Sequence, residues 1–248
     1  MLLYLIRHCQ SENNALWKAT GTDKGRQADP LLTDIGHKQA AALGRYLAAN
    51  GRPDPQPHRG GPLGDGFGIT HLYSSLMQRA IQTGSYIAEA LDLPLHAWPD
   101  IHERGGIYMR DEETGEALPL PGPSGSFFAE NYPQLYIADD LHPEGWWSTR
   151  PYEQTSDALS RAEIVLSDLM ARHGDSDDHV AFVTHGGFTQ SLLYTLFGFL
   201  PEGGRLAEER DVWLKMNNGS ITRIDITHAL LRLNYLNYID YMPGDILT

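Results

Sequence analysis

Leu2-Leu3-Tyr4-Leu5-Ile6-Arg7-His8-Cys9-Gln10 is an apolar run that stops abruptly on a cation and an imidazole. A run this short, rich in large apolar residues, reads as a buried strand. A strand that ends on Arg-His delivers both side chains to the carboxyl edge of a sheet, where open α/β folds bind their ligands. Arg offers a planar fork matched to phosphate oxygens, and His can attack phosphorus to form a covalent intermediate. Taken alone, the pair reads more readily as an edge histidine beside a surface arginine. The rest of the chain reverses that preference.

Three further apolar segments also stop near polar residues. Ile69-Thr70-His71-Leu72-Tyr73 leads to Ser74-Ser75 and Arg79, and Val180-Ala181-Phe182-Val183-Thr184 leads to His185-Gly186-Gly187. Leu95-His96-Ala97-Trp98, the weakest, leads to His102-Glu103-Arg104. Helical spacing follows Thr33, a plausible N-cap, and recurs over residues 78–91, 154–173 and 188–197. Residues 212–216, 220–226 and 229–235 read as strands, the first two joined by a turn at Asn217-Asn218-Gly219. Residues 11–29 read as a polar loop with one helical turn, and 51–68, rich in Gly and Pro, as a loop or insertion. Residues 104–150 show no sustained period, which suggests a cap inserted on the core. The expected fold is α/β and three-layered, a mostly parallel sheet flanked by helices. Residues 1–248 are expected to form a single domain with that insertion.

Composition narrows the function. The 248 residues are 41% hydrophobic and 21% charged, ordinary for a globular protein. No apolar run approaches the roughly 18 residues that span a bilayer. The N-terminal run lacks a basic region and a small-residue cleavage site, so it reads as a strand and not a signal peptide. The single cysteine rules out an intramolecular disulfide framework and fits a reducing, cytoplasmic setting. A net charge of −13 with no basic stripe disfavours nucleic acid and anionic membranes as partners. Any phosphate site must therefore concentrate positive charge against a repulsive background.

If the strands are parallel neighbours, one edge gathers Arg7, Arg79, His8, His185 and Glu103. Phosphoryl transfer to histidine needs such a set: cations on the oxygens, an imidazole in line, and an acid for the leaving group. At this point the residues resemble a family. The stretch from Leu5 to Asn14 looks like the signature of the histidine phosphatase superfamily, which includes cofactor-dependent phosphoglycerate mutase. Leu32-Thr33-Asp34-Ile35-Gly36-His37-Lys38-Gln39-Ala40 and Ser75-Leu76-Met77-Gln78-Arg79-Ala80-Ile81-Gln82-Thr83 resemble its second and third segments. Glu103 and Val183-Thr184-His185-Gly186-Gly187 match its acid and closing motif, all in family order.

The resemblance implies that His8 is the nucleophile and that Arg7, Arg79 and His185 cradle the phosphoryl oxygens. Asn14 would assist, with Ser11 and Gly186 also assigned to substrate binding. Glu103 would protonate the leaving alkoxide and then activate water. His8 must be neutral to attack, its proton held on the other ring nitrogen by a backbone carbonyl. His185 is expected to be charged. No metal-ligand spacing is present, and the chemistry needs neither metal nor cofactor.

Cys9 stands where the family usually has Gly. It reads as a buried filler that crowds the loop after His8, and a cysteine-nucleophile phosphatase is excluded because Ala15 occupies the position of its arginine. Arg104 or Arg110 could bind a second anionic group. Trp146-Trp147, with Tyr132 and Tyr136, reads as cap core, with closure over the substrate as the functional alternative. The acid is followed by Arg104-Gly105-Gly106 and not by the mutases' Tyr-Gly pair, so hydrolysis of a small phosphorylated metabolite is favoured. A mutase and a non-catalytic phosphoryl-binding protein are the alternatives. A homodimer is the expectation for any self-association.

Overall fold

The computed structural model describes residues 1–50, 67–138, 141–198 and 213–248. In chain order its first elements are β1 (Leu2–Arg7), α1 (Glu12–Thr20), α2 (Asp34–Ala49), β2 (His71–Ser74), α3 (Gln78–Leu91) and β3 (Leu95–Ala97). There follow β4 (Tyr108–Arg110), β5 (Ala117–Pro119), α4 (Gly125–Asn131) and β6 (Leu135–Tyr136). The last are α5 (Thr155–His173), β7 (His179–Thr184), α6 (Gly186–Phe197), β8 (Ile221–Ile226) and β9 (Leu231–Tyr238).

Seven strands make one mixed sheet in the order β6-β3-β2-β7-β1-β8-β9. The first five run parallel, β8 pairs antiparallel with β1, and β9 antiparallel with β8. Alternation along the central strands divides the core. Tyr4, Ile6, Ala181 and Val183 pack with Leu43 and Leu47 of α2 and Ile81 of α3. Leu3, Leu5, Val180 and Phe182 pack on the other face with Val165 and Leu169 of α5 and Leu192 of α6. The result is the three-layer, mostly parallel α/β arrangement that the strand and helix periods imply. Register aligns Arg7 with Thr184 and Val183 with Ser74, so the residues just past β1, β2 and β7 emerge together.

Thr33 caps α2 by accepting the Gly36 N–H at 3.0 Å. A Cβ on Gly36 would lie 2.1 Å from the Gln10 carbonyl oxygen, so glycine alone lets this helix press against the loop behind His8.

Three expectations change. The first loop holds a nine-residue helix, α1, with a Ser11–Asn14 capping box and a left-handed Gly21 at its end. None of its residues is fully buried, so no apolar stripe marked it. Residues 213–216 form no strand; they run extended between Leu214 N–H, which donates to Gln190 Oε1, and Met216, whose carbonyl accepts from Arg7. Val212 lies outside the described residues, as do positions 51–66 of the loop expected over 51–68. Residues 104–150 are more regular than their composition suggests. They carry the β4–β5 hairpin, α4, and β6, whose Leu135 pairs with Leu95 to extend the main sheet.

Candidate active site

The carboxyl ends of β1 and β7 and the N-terminus of α3 bring His8, His185 and Arg79 into contact. The His8 Nδ1–H donates to the Cys9 carbonyl at 2.7 Å. That bond places the ring's lone pair on Nε2, which accepts from Arg79 Nε at 3.2 Å. Burial, then the charges of Arg79 and Arg7, push the His8 pKa well below its ordinary value, so the ring is neutral. The Nδ1 proton is therefore held by a backbone carbonyl acceptor, as the sequence reading expects.

His185 lies with its ring centroid 5.1 Å from that of His8, and its Nε2 is 3.0 Å from Ser75 Oγ. Its Nδ1 is buried without a partner, as is Arg7 Nε. The expected charge on His185 is not found. Burial, with Arg79 and His8 adding to it, drives its pKa well down, because an imidazolium beside a guanidinium has nothing to balance it. Arg7 Nη1 is anchored on the Met216 carbonyl. Asp29 stands 3.7 Å from Arg79 Nη1 and accepts the Gln78 N–H at 3.1 Å. Burial raises its carboxyl to about 6 despite the opposing pull of Arg79.

Glu103 meets the N-terminus of α6. Its Oε1 accepts the N–H groups of Arg104 at 2.8 Å and Phe188 at 3.0 Å, and its Oε2 that of Gly187 at 3.1 Å. These three N–H groups fix the orientation of the Glu103 carboxyl group at the α6 N-terminus. Gly187 makes the approach feasible, since a Cβ there would lie 2.3 Å from Glu103 Oε1. The loop before Glu103 is stapled by Arg161 of α5, which donates to the carbonyls of Asp100 at 2.6 Å and His102 at 3.1 Å. The same guanidinium holds both oxygens of Glu153 at 2.6 Å.

A cleft of about 500 Å³ opens beside the cluster. Arg7, Glu103, Arg104, Tyr108, Tyr152, Gly186 and Lys215 are among the residues that line it. His8 itself is buried, at 3% exposure.

The sequence-selected residues thus divide into groups. His8, Arg7, Arg79 and His185 converge, Glu103 shares the cleft with Arg7, and Gly186 sits against the Arg7 side chain. Asn14 is on α1, its Oδ1 accepting from Ser11 N, Ser11 Oγ and Asn218 Nδ2. Ser11 is buried and its hydroxyl serves the α1 cap. Arg110 is paired with Asp23 at 2.9 Å and Arg150 with Asp100 at 3.0 Å. Trp146 and Trp147 are buried against each other and against His102, so the pair forms core. A Cβ on Gly106, which has φ +75°, would strike the Trp147 ring.

Sequence reasoning missed Asp29, Asn218 and Arg161. Asn218 donates to the His8 carbonyl at 3.1 Å as well as to Asn14. Only Arg161 left a signal, a charge inside the apolar stripe Ala158, Ala162, Val165 and Leu169. Spacing also gave no hint that His71, His173 and Asp178 meet, with ligand atoms within 4.8 Å. They lie at the amino edge of the sheet, where both His173 nitrogens are hydrogen-bonded, to Asp178 at 2.8 Å and the Tyr73 hydroxyl at 3.0 Å.

Two imidazoles in contact with a guanidinium group thus meet at the carboxyl edge of the parallel strands of an α/β fold. The chain belongs to the histidine phosphatase superfamily, branch 1, whose family model matches residues 3–55 and 58–239. No curated protein matches it in sequence. Among solved structures it is similar to mycobacterial glucosyl-3-phosphoglycerate phosphatase, at 19% identity and TM-score 0.54, over 95% of this chain and 98% of that one. It is also similar to Entamoeba histolytica phosphoserine phosphatase in complex with 3-phosphoglyceric acid, at 19% identity and TM-score 0.57, over 98% and 99% of the two chains.

Proposed function

We propose that this protein hydrolyses small phosphomonoesters without a metal, through a phosphohistidine on His8. One observation carries the reading: His8 is held neutral, with Nδ1 pinned to a carbonyl and Nε2 left unprotonated, accepting an N–H from Arg79 that an incoming phosphoryl oxygen can take over. That is the state a nucleophilic imidazole needs. The buried, unpartnered Arg7 Nε and His185 Nδ1 support it, since a phosphoryl oxygen would satisfy such atoms. The phosphatases named above lend further support.

His8 Nε2 attacks phosphorus, the P–O ester bond breaks, and the alkoxide leaves with a proton from Glu103. Oε2 has room for that proton because it accepts a single N–H bond, whereas Oε1 accepts two. A water then attacks the phosphohistidine, giving its proton to Glu103 and releasing phosphate and neutral His8. Arg7 and Arg79 stabilise the charge on the transferring oxygens, and the incoming dianion supplies the counter-charge that a protonated His185 lacks in the empty site.

Glu103→Gln tests the assignment. It should slow alkyl phosphates far more than para-nitrophenyl phosphate, whose leaving group hardly needs a proton, and acid-labile phosphoenzyme should accumulate with the activated ester. With EDTA present throughout, equal losses for both ester types and no trapped phosphohistidine would sink the mechanism.

A further inference from the structure

We propose that His71, His173 and Asp178 form a zinc site at the amino edge of the sheet, opposite the edge that carries His8. Two imidazole nitrogens and one carboxylate oxygen hold the ion, with water as the fourth ligand. Its role is structural, clipping the C-terminus of α5 to the start of β2, and it takes no part in the chemistry of His8 and Glu103.

Three chain segments meet there. His71 opens β2, His173 ends α5, and Asp178 directly precedes β7. Strands β2 and β7 are parallel neighbours with His71 in register with Val180, so His71 stands beside the residues that lead into β7. One ligand atom of each residue lies within 4.8 Å of the other two. His173 Nδ1 is 2.8 Å from Asp178 Oδ2, and His71 Nδ1 is 3.8 Å from Asp178 Oδ1. Donor atoms around a tetrahedral zinc, with bonds of roughly 2.0–2.2 Å, stand about 3.4 Å apart. The two separations bracket that value. Two imidazoles and a carboxylate are also a donor set suited to zinc.

The surrounding hydrogen bonds admit an ion without stranding a polar group. His173 is buried, its Nδ1–H donating to Asp178 and its Nε2 meeting the Tyr73 hydroxyl at 3.0 Å. Zinc on Nδ1 moves that proton to Nε2, where the same hydroxyl accepts it, the outer bond that orients a ligating histidine. His71 Nδ1 lies 2.9 Å from the Thr70 hydroxyl, which donates either to it or to the His179 carbonyl at 3.3 Å. When Thr70 donates to the ring, Nδ1 and Asp178 Oδ1 face each other as two acceptors. A cation between them removes that repulsion and lets Thr70 turn to the carbonyl. The carboxylate is already positioned by its turn. Ser176 Oγ donates to the His173 carbonyl at 2.8 Å, the Asp178 N–H donates to Ser176 Oγ at 3.1 Å, and the Asp178 carbonyl accepts the Leu2 N–H at 2.8 Å. Little ordering of the backbone is left for binding to supply.

The test titrates metal-stripped full-length protein with Zn2+ alone. Equilibrium dialysis should show one equivalent bound, and Tm should rise by at least about 5 °C at a hundredfold excess over Kd, as for an ion that binds only the folded state. Co2+ in its place should give the visible absorption of a four-coordinate site. His71→Gln and Asp178→Asn should each lose the bound equivalent, the Tm rise and the Co2+ spectrum, while their Tm in EDTA stays close to wild type. Tyr73→Phe keeps all three ligands and should weaken binding about tenfold. No bound equivalent in wild type, or a Tm rise of the same size in both ligand variants, would overturn the site. Zinc that still binds His71→Gln and inhibits hydrolysis of para-nitrophenyl phosphate would place the ion on His8 and His185 and overturn it as well.

Discussion

Two neighbouring regions use buried side chains in opposite ways. At the carboxyl edge of the parallel strands, Arg7, His8, Arg79 and His185 are packed together, two guanidinium groups beside two imidazoles that burial keeps neutral. Arg7 Nε, His185 Nδ1 and Asp29 Oδ2 are left unpartnered. In the segment after Glu103, Trp146 and Trp147 pack against each other, His102 and Gly106, and fill space. Their indole nitrogens are unpartnered too, but a neutral N–H costs only about 1–3 kcal/mol to bury, and it brings no charge imbalance. The difference separates a place built for a ligand from one built for stability. It also puts the cleft-facing chemistry of residues 104–153 at the two ends of the segment, in Arg104, Tyr108 and Tyr152, and not in its aromatic centre.

The largest effect should come from the sheet edge. His8→Ala should lower kcat for para-nitrophenyl phosphate by at least about a thousandfold, as expected for loss of a covalent nucleophile. Its Tm should stay close to wild type, because a neutral imidazole between two guanidinium groups is not there for stability. A purified variant retaining more than roughly a few per cent of activity would break the functional half of the comparison.

Trp147→Ala should behave the other way. Removing a buried indole is expected to cost about 3–5 kcal/mol of stability, read by urea or thermal unfolding. Relative kcat/KM values among different esters should not change. A shift in substrate preference with little loss of stability would instead give the tryptophan pair the substrate-closing role that its place in the sequence allows.

The contrast was legible in the sequence where chemistry and local pattern coincide. Arg7-His8 and His185-Gly186 terminate apolar runs, and register then brings those ends together, so a one-dimensional pattern carries three-dimensional content. Helix α3 is predicted with its observed bounds because Ala80, Ile81, Ile87 and Ala88 lie on one buried face. Helix α1 was invisible because its stability comes from the Ser11 cap and Gly21 and not from burial. Strand β6 is two residues long and exists only through pairing with β3, a tertiary effect that no window of sequence reports. Asp29 gave no warning either. Its role depends on a contact with Arg79, 50 positions away, and nothing around it is periodic.

Asp29 sharpens the comparison by pH. Its folded carboxyl is raised from 3.8 to about 6. Below the lower value both folded and unfolded chains hold the proton. Between the two, the unfolded chain releases it while the folded chain keeps it, so stability falls as pH rises through this window. The size of the fall is about 3 kcal/mol. Asp29→Asn cannot make that transition. The difference in unfolding free energy between wild type and variant should therefore change by about that amount from pH 3.5 to pH 7, with the variant gaining. A constant difference across the range would show that the Asp29 carboxyl is not desolvated by its burial beside Arg79.

Cys9 should give the smallest effect, although it lies next to His8. Its thiol is fully buried, and burial raises its pKa to about 12 against weaker opposing pulls from Thr83 and Arg7. At pH 8 that leaves roughly one molecule in ten thousand as thiolate, the form that reacts. Its backbone is not left-handed, so a side chain imposes no strain there. Its N–H donates to Thr83 Oγ1 at 3.0 Å and its carbonyl receives the His8 proton, functions that any side chain would preserve. The sulfur packs near Gly219, where a Cβ would approach it to 3.6 Å. Native protein should thus resist iodoacetamide while denatured protein takes up one equivalent, and Cys9→Ala should cost only about 1 kcal/mol with kcat within about twofold. Rapid labelling of the native enzyme with loss of activity would make the residue beside His8 part of the reactive edge, and the line between the two kinds of burial would have to be redrawn there.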